Sequence, residues 1–263
     1  MKTFSHSKSR LKQKLHDRDV SIGSWLTIPH QAIVEILASA GFEWLTLDIE
    51  HAAIDLQTLQ NLIGHVQGNG MEALVRVSKN EEVIIKRVMD AGANGVIVPM
   101  IKSKEEAEQA VSWVKYPPVG SRGVGLSRAQ HYGTGFSSYN KWVNEEAVVI
   151  AQIEHIEGVK NLEGILDTKG IDGIIVGPYD LSASMGKPGM FYDDDVKGVL
   201  EEIDQITLKK SRSLGFHVIE SDHVKVLEKI ASSYNFLAFS LDFFFLGDKA
   251  REEMQSLKSK IGK

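Results

Sequence analysis

Short strand-like runs alternate with amphipathic helix-like runs along almost the whole chain, and that alternation leaves few folds open. The strand-like runs are Ser21–Trp25, Trp44–Asp48, Ala73–Val77, Gly95–Val98, Val148–Ile153, Gly173–Val176, Gly215–Val218 and Phe236–Ser240. Helical periodicity fills the gaps at Gln31–Ala40, Leu56–Val66, Glu81–Ala91, Lys104–Val114, Val159–Asp167, Val196–Ser213 and His223–Tyr234. Strands separated by helices of this length form βαβ units, and such units build a parallel sheet. Eight of them in 263 residues favour a closed (β/α)8 barrel, a single α/β domain over residues 1–263, rather than an open doubly wound sheet. Gly41, Gly70, Gly92, Gly170 and Gly215 follow the helix-like segments, where a left-handed C-terminal cap is wanted.

Three further segments frame the barrel. Ser7–Arg18 reads as a short helix lying across the barrel floor; the Lys, Arg, Ser and His of Met1–Arg18 lack the apolar core of a signal peptide. Lys115–Asn144 is an unusually long connection, and its Arg and aromatic content argues for an ordered, functional segment. Its arginines, Arg122 and Arg128, are candidates for contacts at the mouth or between subunits. Past Asp242, Phe243-Phe244-Phe245-Leu246 opens a last helix to about Lys260; the run reads as packing on the barrel wall or as an oligomer contact.

The chemistry should sit at the C-terminal ends of the strands, where barrel active sites are built. Gln152-Ile153-Glu154 closes the fifth strand-like run and Gly177-Pro178-Tyr179-Asp180 follows the sixth. Two carboxylates at neighbouring strand ends in a dry cleft are costly unless a metal or a proton holds them, and a hard divalent ion is the leading candidate. The second run ends Asp48-Ile49-Glu50-His51, which places a histidine suited to proton transfer beside two acids able to orient it. The alternative for His51 is a capping or surface residue. Arg76, inside the apolar run Leu74-Val75-Arg76-Val77, needs a partner: a substrate carboxylate, Glu154 or Asp48.

Several classes are excluded. A net charge of −5 offers no basic footprint for nucleic acid, and no apolar run is long enough to span a bilayer. The absence of cysteine rules out disulfides and thiolate chemistry and fits a reducing cytoplasm. No strand end carries the lysine of a Schiff-base aldolase. The glycine-rich phosphate turn after the last strands is missing, as are the nucleotide-binding motifs. His155 and His217 read as structural.

Five motifs in order, Asp48-Ile49-Glu50-His51, Val75-Arg76-Val77, Gly120-Ser121-Arg122-Gly123-Val124-Gly125, Gln152-Ile153-Glu154 and Gly177-Pro178-Tyr179-Asp180-Leu181-Ser182, resemble the HpcH/HpaI aldolase family, the class II pyruvate aldolases. The resemblance runs from about Gly23 to Gly247. It implies a (β/α)8 barrel and a carbon–carbon lyase that reversibly cleaves a 4-hydroxy-2-oxo acid into pyruvate and an aldehyde through a metal-stabilised enolate. It implies a divalent ion (Mg²⁺, Mn²⁺ or Co²⁺) on Glu154 and Asp180, with Arg76 on the pyruvate carboxylate and keto oxygen. His51, oriented by Asp48, would serve acid–base chemistry. Gln152 would contact substrate, and the backbone from Gly177 through Pro178 and Tyr179 would help hold it. A homo-oligomer, trimer or hexamer, with an exchanged C-terminal helix is also implied.

The chain departs from the family where many members carry a proline soon after the Glu-His pair; here it reads Ala52-Ala53-Ile54-Asp55. Those residues should border the aldehyde, so the aldehyde partner is not copied from a relative. Two other readings stay open: a citrate-lyase-β-like enzyme acting on acyl-CoA thioesters, with Arg122, Arg128 and Lys187 as its only candidate cations, and a non-catalytic binding barrel.

Overall fold

The computed structural model describes residues 6–262. Eight parallel strands close on themselves in sequence order: β1 (Ser21–Leu26), β2 (Trp44–Asp48), β3 (Glu72–Arg76), β4 (Gly95–Val98), β5 (Val148–Ile153), β6 (Gly173–Val176), β7 (Ser213–Val218) and β8 (Phe236–Leu241). The seam is closed by β1 on β8, with Ser21 opposite Phe236. Each strand matches a predicted run to within two residues. β5 is buried at every position, as expected of a parallel strand covered by helices on one side and by barrel interior on the other.

The helices are α1 (Arg10–Asp17), α2 (Gln31–Ser39), α3 (Leu56–Gly68), α4 (Glu82–Asp90), α5 (Lys104–Val114), α6 (Phe136–Glu145), α7 (Ile156–Lys160), α8 (Leu162–Asp167), α9 (Pro178–Ser184), α10 (Asp194–Lys209), α11 (His223–Ala231) and α12 (Asp242–Lys260). Their starts follow local chemistry. Ser103 accepts the Glu106 N–H ahead of α5, and Asp193 accepts the Asp195 N–H ahead of α10. Gly41, Gly70, Gly92 and Gly170 take positive φ as predicted.

Gly215 does not. It lies inside β7, and a Cβ there would stand 2.7 Å from the Phe236 ring and 2.6 Å from the Ile174 carbonyl oxygen, so close approach explains the glycine. The left-handed turn after α10 is made by Ser211 instead, at φ 54°. The helix predicted over Val159–Asp167 is two short helices that meet at Asn161.

The core has two layers. Between strands and helices lies a continuous aliphatic shell that includes Leu47, Val75, Val98 and Ile153. Inside the barrel, Trp44 stacks on Phe236 at 4.5 Å, with Leu74, Ile97 and Ile150 in the same cluster. α1 plugs the floor: Leu11 and Leu15 join this inner cluster, each contributing about 1.5–3 kcal/mol if fully buried. Glu72 fastens the plug by accepting the Ser9 hydroxyl at 2.6 Å and the Leu11 N–H at 2.8 Å. Met1–Ser5, the start of the Lys-, Arg-, Ser- and His-rich N-terminal stretch, lie outside the described residues.

The long connection holds α6, a helix that its local sequence does not announce. Its residues are weak helix formers and Gly135 provides no side-chain cap, but Tyr139, Trp142 and Val143 form one buried face. The segment docks under the barrel: Trp142 donates to the Ser7 carbonyl at 2.9 Å, and Asn144 accepts the Tyr116 N–H at 2.8 Å. At the other terminus the aromatic run is divided. Phe245 packs edge-on to Phe239, whereas Phe243 and Leu246 are exposed. Among the described residues no helix is long and apolar enough to cross a membrane.

Candidate active site

At the C-terminal ends of the strands, Trp25, Arg76, Gln152, Glu154, Asp180 and His217 line a cavity of about 110 Å³ together with the Gly177-Pro178-Tyr179 turn. Parallel pairing brings these groups together. Asp48 of β2 is directly opposite Arg76 of β3, and Ile153 of β5 is opposite Val176 of β6. The residues just beyond those pairs, Glu154 and the Gly177 turn, therefore enter the same mouth.

Arg76 is held by a fork. Its Nε donates to Asp48 Oδ1 at 3.0 Å and its Nη2 to Asp48 Oδ2 at 2.5 Å. Burial pushes the Asp48 carboxyl up, but the Arg76 fork and the N–H groups of Glu50 and His51 outweigh it, and the net direction is down. Asp48 therefore stays ionised. Two of the five guanidinium N–H groups go to Asp48, which leaves others for an anionic ligand.

Glu50 is a different case. Its Oε2 lies 3.3 Å from Arg76 Nε and 3.8 Å from His51 Nε2, yet makes no hydrogen bond. Burial pushes its carboxyl up to about 7; Arg76 opposes the shift, while Glu154, Asp48 and Asp180 add to it. The His51 side chain stands at the rim, 68% exposed.

Glu154 is cradled. Its Oε1 accepts the Met100 N–H at 2.8 Å, and its Oε2 accepts the Gln152 side-chain amide at 2.5 Å. Burial raises its pKa, the two hydrogen bonds resist the shift, and the nearby charge of Asp180 adds to it. Gly177 leaves the space this carboxylate needs, since a Cβ there would lie 2.7 Å from Glu154 Oε2. The Gly177 N–H is used by the Ile153 carbonyl at 3.1 Å, and Pro178 at the start of α9 has none, so backbone donors to a ligand begin at Tyr179. Asp180 sits in the first turn of that helix.

The opposite wall is aromatic. His217 stacks on Trp25 with ring centres 4.6 Å apart, and its Nε2 donates to the Ser240 carbonyl at 3.1 Å. Burial drives its pKa down to about 4, so the ring is neutral. Tyr179 meets Phe191 edge-on at 4.7 Å on the outer side of the mouth.

The donor set fits a hard divalent ion. Glu154 and Asp180 would supply carboxylate oxygens, and the charge of Asp180 adds to the cost of ionising Glu154, which a cation relieves. Among the described residues no third His, Cys, Asp or Glu completes a closed protein cage. Such a site suits an ion that shares its coordination with water and a bidentate ligand, and does not suit structural zinc.

The family model described as HpcH/HpaI aldolase/citrate lyase matches residues 21–246. This chain belongs to that family. It is 40% identical over 196 residues to the 5-keto-4-deoxy-D-glucarate aldolase of Escherichia coli O139:H28, covering 74% of this chain and 76% of the relative. An HpcH/HpaI aldolase/citrate lyase family structure from Burkholderia cenocepacia J2315 superposes with a TM-score of 0.88 at 30% identity, covering 94% of this chain and 98% of the other. The citrate synthase SbnG superposes at 0.84 with 27% identity, covering 96% and 99%. Like the aldolases it resembles, this family member is a lyase enzyme.

The expectations for this HpcH/HpaI chain fare unevenly in the geometry. Arg76, Gln152, Glu154, Gly177, Pro178, Tyr179 and Asp180 share the cavity, and Asp48 lies behind Arg76. The Asp48 carboxylate does not meet the His51 ring: it accepts the His51 backbone N–H at 3.3 Å, while the acid facing the imidazole is Glu50. Arg122 and Arg128 do not reach the mouth. Arg122 is fully buried over the Tyr116 ring at 4.3 Å and donates to the Tyr139 hydroxyl. Arg128 donates to Ala91 O and to Gln67 Oε1, at the C-terminal ends of α4 and α3 and thus on the barrel's opposite face. His155 is structural, capping α7 by accepting the Glu157 N–H.

His217 contributes to the cavity wall, which its position in β7 alone did not reveal. Trp25 was missed as well. It reads as one more buried strand residue, although its place at the C-terminal end of β1 was the available signal.

Proposed function

We propose that this chain catalyses metal-dependent, reversible cleavage of a 4-hydroxy-2-oxo acid into pyruvate and an aldehyde. The observation that carries the reading is the convergence of Glu154, Asp180 and Arg76 on one small cavity, two hard oxygen donors beside one guanidinium. Glu154 and Asp180 would hold Mg²⁺, Mn²⁺ or Co²⁺, which supplies Lewis-acid stabilisation of the charge that develops on the 2-oxo acid.

The chain's own residues do the rest. Arg76, fixed by Asp48, presents its remaining N–H groups to the substrate carboxylate and keto oxygen. Gln152 holds the Glu154 carboxylate and is available to the substrate beside it. His51, at the rim beside Glu50, takes the 4-hydroxyl proton on cleavage and returns it on addition. The Trp25–His217 wall shields the reacting carbons from water. Tyr179 and Ala52-Ala53-Ile54-Asp55 border the aldehyde.

The acyl-CoA thioester reading loses its candidate cations. Arg122 is buried away from the mouth, Arg128 lies on the other face, and Lys187 is paired with Asp193 at 2.6 Å and Asp195 at 2.5 Å. The binding-barrel reading leaves the costly carboxylate–guanidinium cluster without a purpose. A homo-oligomer, trimer or hexamer, with α12 exchanged between subunits is supported by the exposed Met254, Leu257 and Ile261 along and just past that helix. A cytoplasmic setting is supported by the absence of cysteine.

The test is pyruvate release from 4-hydroxy-2-oxo acids of varied length, beginning with 5-keto-4-deoxy-D-glucarate, the compound named for the E. coli relative. Activity should vanish with EDTA and return with Mg²⁺, Mn²⁺ or Co²⁺. Full turnover by metal-stripped protein refutes the metal-dependent mechanism. No turnover across the series, despite metal binding, moves the assignment to thioester chemistry.

A further inference from the structure

Met100 holds its backbone in the left-handed region at φ 56°. A side chain disfavours this conformation, and it persists where surrounding structure enforces it. Arg18, Ser211 and Ser233 also have positive φ, but each follows a helix, where a left-handed residue is an ordinary cap. Met100 follows β4 and caps nothing. Its side chain is 41% exposed, so burial of the thioether does not account for the backbone either.

What the conformation achieves is visible in the Met100 N–H, which donates to Glu154 Oε1 at 2.8 Å, across from the turn after β4 to the end of β5. Pro99 has no N–H to offer, so Met100 supplies the first donor of this turn. Gln152 takes the other Glu154 oxygen, and Gly177 leaves the carboxylate its space. The carboxylate is thus oriented from three sides, and one side depends on a strained peptide.

We infer that the left-handed Met100 peptide is a positioning device for Glu154, fixing the carboxylate so that it is pre-organised for the divalent ion; this rests on the assignment of Glu154 as a metal ligand. The device acts through the main chain, so residue 100 matters for the φ it can adopt and not for its thioether. Outer-shell partners of metal ligands of this kind change affinity by roughly 10- to 100-fold.

The experiment is Mn²⁺ titration of metal-stripped protein, followed by electron paramagnetic resonance of the free ion, with a melting curve for each variant. Met100→Gly keeps the N–H and enters the left-handed region freely, and Met100→Leu keeps the shape at Cβ; both should bind Mn²⁺ within about twofold of the parent protein. Met100→Val is β-branched and resists positive φ, and should bind roughly tenfold or more weakly. Should the valine variant fail to fold, replacing Met100 by its α-hydroxy analogue removes the N–H alone and should weaken binding to a similar extent. Parent-like affinity in the valine or α-hydroxy protein overturns the inference, as does equal weakening in Met100→Gly. Glu154→Gln separates the two levels. If it binds Mn²⁺ like the parent, the ligand assignment falls and this inference with it; if it loses binding while Met100→Val does not, only the inference falls.

Discussion

Asp48 and Arg76 sit directly opposite each other on adjacent strands and are joined by two hydrogen bonds of 3.0 and 2.5 Å. The strand register itself therefore builds the pair, and it couples stability to substrate binding. Asp48→Asn should leave the partly buried Arg76 without its bidentate partner and with only Glu50 nearby, a destabilisation of about 1–3 kcal/mol. It should also raise KM for the 2-oxo acid more than it lowers kcat, because the guanidinium is no longer aimed. Urea unfolding and steady-state kinetics on the same preparation check both effects; an unchanged KM removes Arg76 aiming from the account.

His51 has a simpler expectation. If the imidazole moves the 4-hydroxyl proton, His51→Ala lowers kcat by roughly 10²- to 10⁴-fold with little change in substrate affinity. Single-turnover rates separate that outcome from slow product release. An unaltered chemical step would mean that the exposed ring at the rim has no part in it.

Glu50 should make the metal-free protein sensitive to pH. Its carboxyl lies at about 7 in the folded chain and near 4.5 in the ordinary state, so between those values the folded state holds a proton that the unfolded state has lost. Stability should then fall as pH rises from about 4.5 to 7 and level off above it, with a slope of at most about 1.4 kcal/mol per pH unit. Glu50→Gln should lack that fall. Superimposable stability–pH curves for the two proteins, measured in EDTA, would place the Glu50 titration in the ordinary carboxylate range.

A methyl group at position 177 should act on the metal without touching it. The Cβ of Gly177→Ala would meet Glu154 Oε2 at 2.7 Å and Glu154 Cβ at 2.9 Å, so the carboxylate must turn aside. Overpacking of this kind costs about 1–3 kcal/mol, and the Mn²⁺ dissociation constant should rise roughly tenfold or more. Calorimetric titration reads the second effect; a parent-like constant would show that the carboxylate tolerates the shift.

Much of this protein is set by local pattern. Eight apolar runs broken by amphipathic helices leave a closed parallel barrel as the consistent solution, because each strand must be covered on both faces. The polar residues at the ends of those runs, Asp48, Arg76, Glu154 and Asp180, were legible for the same reason: the end of a barrel strand has only one mouth to face. Tertiary structure decided what lies between residues far apart in the chain. Barrel closure brings Trp25 of β1 against His217 of β7, and the pairing of β4 with β5 brings the Met100 peptide against Glu154. α6 escaped the sequence reading because its propensity is weak and docking beneath the barrel stabilises it. Arg122 and Arg128 looked like mouth residues until the chain's path carried them to Tyr139 and Ala91. Which acid faces His51 was likewise beyond the sequence. Asp48 and Glu50 are equivalent by composition, but Arg76 takes both oxygens of Asp48 in its fork, while Glu50 stands between the guanidinium and the imidazole.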